Sequence, residues 1–179
     1  ASDATYGDIL RSVTLTGGAA STEGTFAWTN GDQTVGNATV AGEEGNSFEV
    51  TFTPNDADTY ANAYENVKVK VNPKSIEDND VTIEEIPSQS YTGQELQPMP
   101  TIKFKGETLA LGTDFTLTYD ENTNCGTATV KIIGQGNFTG EVTKTFQITK
   151  SINHEDIKVE LSNEELVYDG TTKKPSSIV

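Results

Sequence analysis

Apolar and polar residues alternate with a period of two through most of the chain. Phe115, Leu117 and Tyr119 share one face of an extended segment, and Thr116 and Thr118 occupy the other. The same alternation recurs in four further segments, at 48–52, 67–71, 128–132 and 142–148. Successive side chains of a strand point to opposite faces, so this pattern indicates strands with one buried face. Helical periodicity is almost absent, and we predict an all-β fold.

Turn signals separate the predicted strands at short spacing, as in antiparallel sandwiches and barrels. Asn30-Gly31 lies between Phe26-Ala27-Trp28 and Thr34-Val35, which predicts a two-residue hairpin. The segment 120–124 is strongly polar, and we expect it at the surface.

An internal repeat predicts how the chain divides into domains. Lys74-Ser75-Ile76 is followed by Tyr91-Thr92-Gly93. About 76 residues further along the chain, Lys150-Ser151-Ile152 is followed in the same way by Tyr168-Asp169-Gly170. We therefore predict a divergent first unit at 1–73, a second unit at 74–150, and the incomplete start of a third at 151–179. We expect the chain to be part of a longer array, and we expect 151–179 to pack on the second unit or to pair with a neighbouring molecule.

The predicted linkers between units are short. Asn72–Ser75 and Thr149–Ser151 each connect a closing strand to the first strand of the next unit. A joint of so few residues restricts bending, so we predict tandem β-sandwiches in an elongated, semi-rigid arrangement.

The charge of the chain limits its partners. The sequence has 12 basic and 27 acidic residues, with a formal net charge of −15. Because the acidic residues are evenly spread, we expect no binding to nucleic acid or to anionic membranes. No apolar run approaches the length of a membrane span, so we expect no membrane insertion.

Cysteine usage indicates either a cytosolic protein or an exported bacterial one, and the charge and the repeat architecture favour the second. Cys125 is the only cysteine, so an internal disulfide is impossible, whereas secreted eukaryotic β domains commonly carry pairs. Cys125 has no cationic neighbour in the sequence that would activate its thiol. We therefore expect a small, semi-buried side chain, and its redox state stays open.

Candidate catalytic and metal-binding motifs are weak in this chain. The glycine-rich segment 134–140 precedes a predicted strand, so it offers no helix N-terminus for a phosphate, and we expect Phe138 to enter the core. The single histidine, His154, has no partners for a metal site or a catalytic triad. We expect no catalytic activity and no cofactor, with calcium near Asp56 and Asp58 as the alternative.

Aromatic residues are the candidate ligand contacts. Trp28 shares a strand face with Phe26, which favours a core position, whereas Tyr64 borders a polar loop and is expected to be exposed. Together they are the two residues that could contact a surface glycan or a host protein.

Both units resemble the immunoglobulin-like repeats of Gram-positive cell-surface proteins. The resemblance is carried by Tyr6-Gly7, Phe26-x-Trp28 and Thr51–Asp56 in the first unit, and by Tyr91-Thr92-Gly93, Gly112-Thr113-Asp114-Phe115, Asn124–Val130 and Gly134–Gly140 in the second. It implies immunoglobulin-like sandwiches at the bacterial cell surface or cell wall, acting as a spacer, display stalk or adhesion module. Its partners would be other repeats of the same polypeptide. Two alternatives stay open, a carbohydrate- or host-protein-binding module and an accessory domain of an extracellular enzyme.

Overall fold

A computed structural model describes residues 1–150, so the expectations for 151–179 lie outside the described residues. This part of the chain is all-β, as predicted, and its one helical element is a 3-10 turn at Leu10–Ser12. In the predicted first unit the strands are β1 Ala4–Thr5, β2 Gly24–Trp28, β3 Asn46–Pro54, β4 Ala63–Val69 and β5 Val71–Asn72. In the predicted second unit they are β6 Lys74–Ser75, β7 Val81–Ile83, β8 Gln89–Ser90, β9 Ile102–Phe104, β10 Glu107–Thr108, β11 Phe115–Asp120, β12 Gly126–Gly134, β13 Phe138–Thr139 and β14 Glu141–Thr149.

The first unit is built on one antiparallel sheet with the order β2-β3-β4. Its register pairs Trp28 with Val50, and Val50 in turn with Glu65. A short parallel pair joins β1 to β5. A buried cluster covers one end of the sheet and comprises Ala4, Leu10, Val13, Val35, Phe48, Val69 and Val71.

The second unit has two sheets, with the orders β11-β12-β14-β8 and β10-β9-β7. Residues of both sheets meet in one buried cluster of Ile76, Val81, Ile102, Phe104, Phe115, Ile132 and Phe138. The segments 115–119 and 128–132 form strands, as their alternation predicts. The second has one buried face, since Ala128, Val130 and Ile132 are all fully buried. This arrangement is consistent with a β-sandwich.

The same backbone contact closes both units. The Tyr6 N–H donates to the carbonyl of Asn72 at 2.9 Å, and the Tyr91 N–H donates to the carbonyl of Thr149 at the same distance. Each of these tyrosines follows a short strand that pairs in parallel with the last strand of its unit. Tyr6 and Tyr91 therefore occupy equivalent positions.

Further equivalent contacts show which residues of the two units correspond to each other. The N–H groups of Leu10 and Leu96 each donate to a loop carbonyl at 2.9 Å. The Trp28 indole donates to the carbonyl of Val13, just as the Tyr119 hydroxyl donates to the carbonyl of Pro98, both at 2.9 Å. Trp28 in β2 is thus the counterpart of Tyr119 in β11.

The predicted hairpin at Asn30-Gly31 is wrong. Strand β2 pairs with β3, and Thr34 instead bridges to Ile9. A local turn at 30–33 is closed by the Gln33 N–H donating to the carbonyl of Asn30. Gly31 does not have the positive φ that a two-residue hairpin turn requires.

The polar loop at 120–124 is not entirely exposed. Asn122 is the one buried polar residue of 1–150, and its amide donates to the carbonyl of Leu96 at 3.0 Å. The Leu96 N–H donates back to the backbone carbonyl of Asn122. Burial is tolerated here because these hydrogen bonds satisfy the amide.

Candidate functional site

The two units meet in an aromatic joint around Tyr6. The Tyr6 ring lies 5.7 Å from that of Phe104 and 5.5 Å from that of Phe138, and the latter pair is edge-to-face at 74°. Phe104 and Phe138 also meet edge to face, at 5.5 Å and 84°. Tyr6 belongs to the first unit and both phenylalanines to the second, so one side chain packs against both hydrophobic cores.

Polar contacts surround this joint. The Asn137 side-chain oxygen accepts the N–H of Ala38 at 2.8 Å, and its amide nitrogen donates to the side-chain oxygen of Asn37 at 3.2 Å. On the other side, the Lys105 ammonium donates to the carbonyl of Gly7. Directional bonds beside an apolar contact restrict rotation as well as separation of the two units.

Gly7 allows the close approach at the joint. Its φ is +93°, and an added Cβ would lie 2.5 Å from the ring of Phe104. Any other residue would meet both backbone strain and a steric clash. The Tyr6-Gly7 motif is therefore explained by its contact with the following unit.

Lys74 anchors the linker on the second unit. Its strand β6 pairs in parallel with β13, and its ammonium lies 2.9 Å from the carboxylates of both Asp78 and Asp80. Burial disfavours the charged form of Lys74, but the hydrogen bonds to the two carboxylates and their negative charges together outweigh it, so the pKa of Lys74 is raised above its ordinary value. The same hydrogen bond from Lys74 lowers the pKa of Asp78 below 3.8.

A second feature is an apolar groove in the first unit, with a volume of about 590 Å³. One wall is the segment 15–21, which contains two glycines and two alanines. The opposite wall is the face of the β2-β3-β4 sheet that carries Phe26, Val50, Phe52, Ala63, Glu65 and Val67, and Tyr64 also borders the groove. Phe26 and Phe52 pack against each other at 4.8 Å, and Phe26 remains 40% exposed.

The structure does not bring Trp28 and Tyr64 together. Trp28 pairs with Val50 and Tyr64 pairs with Thr51, which are neighbours on β3 and so face opposite sides of the sheet. Trp28 is half-buried against Phe48, with its indole N–H bonded to Val13. The Tyr64 side chain is 59% exposed, so a flat surface formed by both rings does not exist.

The loop that suggested calcium is organised by its own hydrogen bonds. The Asp56 carboxylate accepts the N–H of Thr59 at 3.1 Å, and hydrogen bonds from Thr59 lower the pKa of Asp56. Within residues 1–150, no group of three or more His, Cys, Asp or Glu side chains is placed to hold a metal ion.

The remaining candidate residues have structural explanations or simple surface positions. The segment 134–140 forms a tight connection to β14, and Phe138 is 3% exposed within the core, as predicted. The prediction that Cys125 is semi-buried is wrong, because this cysteine is exposed immediately before β12. No helix in the described part of the chain is long and apolar enough to cross a membrane.

Comparisons with known proteins identify no relative of this chain. No family model matches it, and no significant match was found among curated proteins or solved structures.

Proposed function

We propose that this chain is a non-catalytic structural module of a bacterial cell-surface protein. Its task is to act as a spacer or display stalk that holds neighbouring units at a fixed angle and distance. The observation that carries this proposal is the joint, where Tyr6 of the first unit packs against Phe104 and Phe138 of the second.

The physical argument concerns the flexibility of the linker. A flexible linker would let two small domains reorient freely, and the reach of the array would then fall. Here the linker forms strands on both sides of Pro73, and the Asn137 and Lys105 contacts add directional bonds to the aromatic ones. Such a joint holds one unit in a fixed orientation relative to the next.

The high acidic content supports an extracellular position. A net charge of −15 keeps neighbouring molecules apart and maintains solubility. The position on a bacterial surface rests on the sequence resemblance.

Small-angle X-ray scattering of the full chain tests the proposal. We expect a maximum dimension and a pair-distance distribution typical of two units in line, unchanged when the salt concentration is raised. A compact globule, or a profile that requires many orientations of the two units, would contradict the spacer function.

A further inference from the structure

The chain enters and leaves the second unit at opposite ends of β14. It enters through β6, where the Lys74 N–H donates to the carbonyl of Asn137 at 2.9 Å. The Ile76 N–H donates to the carbonyl of Thr139 at 2.8 Å, so this entry lies just before the start of β14. The chain leaves at Thr149, where β14 ends after nine residues, roughly 30 Å away along the strand. A pull along the chain therefore acts parallel to β14.

The opening and closing segments of this unit are joined by parallel pairs. Strand β6 pairs in parallel with β13, and β8 pairs in parallel with the end of β14. When one parallel strand is pulled toward its N-terminal end and the other toward its C-terminal end, the two must slide past each other. Their hydrogen bonds are then strained together instead of one after another. The first unit has the same arrangement, since β1 pairs in parallel with β5.

Strand β14 also resists sliding against β12. Eight residue pairs connect these two strands, from Gly126 with Ile148 to Ile133 with Glu141. The hydrogen bonds of an antiparallel ladder are perpendicular to the strands, so a pull along β14 loads all of them at once. Side chains cross the same boundary near both ends of the ladder. Lys131 lies 2.7 Å from the Glu141 carboxylate, and the Gln147 amide donates to the Thr127 hydroxyl at 2.9 Å.

The entry segment is anchored in the hydrophobic core. Ile76 is 1% exposed and belongs to the same buried cluster as Phe115. The ammonium of Lys74 contacts the carboxylates of Asp78 and Asp80, which holds the turn that follows β6. Removing this segment from the unit therefore transfers an isoleucine to water in addition to breaking backbone hydrogen bonds.

We propose that the second unit resists tension, and that its strand arrangement keeps it folded when the chain is pulled from both ends. This function goes beyond that of a spacer, because a fixed joint sets the orientation of two units but not the force that each unit withstands. A chain with this property suits a position between two bodies that are drawn apart, where the tension passes through each unit in turn.

The direction of pulling provides a control within the same chain. Cys125 is exposed and directly precedes β12, and Gly126 at the start of β12 pairs with Ile148 near the end of β14. Handles on Cys125 and on the C-terminal end of the chain therefore separate one end of the β12-β14 ladder and open its pairs one after another. Handles on the two ends of the chain instead pull along β14.

Single-molecule force spectroscopy of the full chain, at one loading rate, compares the two directions. The unfolding of the second unit is identified by the length of chain that it releases. We expect its unfolding force to be at least about twofold higher between the two ends of the chain than between Cys125 and the C-terminal end. Residues 151–179 are in series with the unit in both arrangements, so they do not account for a difference.

Equal unfolding forces in the two directions, or a lower force between the two ends of the chain, would overturn the proposal. Circular dichroism and melting temperature of the chain labelled at Cys125 should match those of the unlabelled chain. The outcome is separable from that of the spacer proposal, because a flexible joint leaves the strand pairing inside the second unit unchanged. A high force between the ends combined with freely reorienting units would uphold the resistance to tension and contradict the spacer function.

Discussion

The ring of Tyr6 meets the ring of Phe138 edge to face, with centroids 5.5 Å apart. This contact joins the start of the first unit to the last connection of the second, and Phe138 is itself 3% exposed. Tyr91 makes the same closing backbone bond in the second unit as Tyr6 makes in the first.

Replacing Tyr6 should destabilise the second unit as well as the joint. Tyr6→Ala removes two aromatic contacts, each worth about 0.5–1.5 kcal/mol, and exposes parts of Phe104 and Phe138. We expect a loss of about 1–3 kcal/mol in the free energy of unfolding, measured by urea denaturation. Tyr6→Phe keeps the ring and should lose much less. Equal losses in the two variants would argue against packing as the cause.

Gly7 and Gly42 form a matched pair for testing the close approach at the joint. Both have a φ of +93°, but an added Cβ meets the Phe104 ring at Gly7 and nothing within 4 Å at Gly42. Gly7→Ala should therefore lower the free energy of unfolding by about 1–3 kcal/mol more than Gly42→Ala does, since only the former adds a steric clash. Identical melting temperatures for the two variants would show that the joint has room for a methyl group.

The buried amide of Asn122 should contribute more to the stability of the fold than the polar sequence around it suggests. Asn122→Ala leaves the Leu96 carbonyl without its side-chain donor, which should cost about 1–3 kcal/mol of stability. Asn124→Ala, at an exposed position in the same loop, should change stability by less than about 0.5 kcal/mol. Chemical denaturation of both variants measures the difference, and similar values would contradict a structural role for Asn122.

Acid should weaken the Lys74 anchor in a defined pH range. The hydrogen bond from Lys74 holds the pKa of Asp78 below its ordinary value of 3.8 in the folded chain. Its stabilising effect is therefore complete above about pH 4 and is lost as the pH falls through the lowered pKa. The melting temperature of Asp78→Asn should lie below that of the unchanged chain at neutral pH, and the gap should close in strong acid. A gap that is constant with pH would mean that the ion pair does not contribute.

The sequence predicted the parts of the fold that depend on alternation. Phe115, Ala128, Val130 and Ile132 are buried as their period-two pattern indicates, and β14 at Glu141–Thr149 contains the alternating segment 142–148. The hairpin at Asn30-Gly31 was wrong because the turn preference of two residues says nothing about which distant strand pairs with β2. Asn122 was unexpected because the burial of one polar side chain depends on a partner 26 positions away, the Leu96 carbonyl.

The site was less predictable than the fold. Tyr64 is exposed as expected, but Trp28 and Tyr64 lie on opposite faces of one sheet, which becomes evident only from the pairing register of β2, β3 and β4. The joint was indicated by the short linker, yet the role of Tyr6 required the positions of Phe104 and Phe138. The available signal was the tyrosine followed closely by a glycine in both units, as Tyr6-Gly7 and as Tyr91-Thr92-Gly93, because a glycine near a repeated aromatic residue suggests close packing.

The distance between the two units, measured by double electron–electron resonance, tests the spacer proposal most directly. Cys125 is exposed in the second unit and Thr53→Cys adds an exposed label site in the first, on the far side of the sheet from the groove. We predict one narrow distance distribution for this pair in the otherwise unchanged chain, and a broad one when Gly7→Ala is added. A broad distribution without that substitution would show that the units reorient freely, and it would contradict the proposal that this chain is a spacer with a fixed joint.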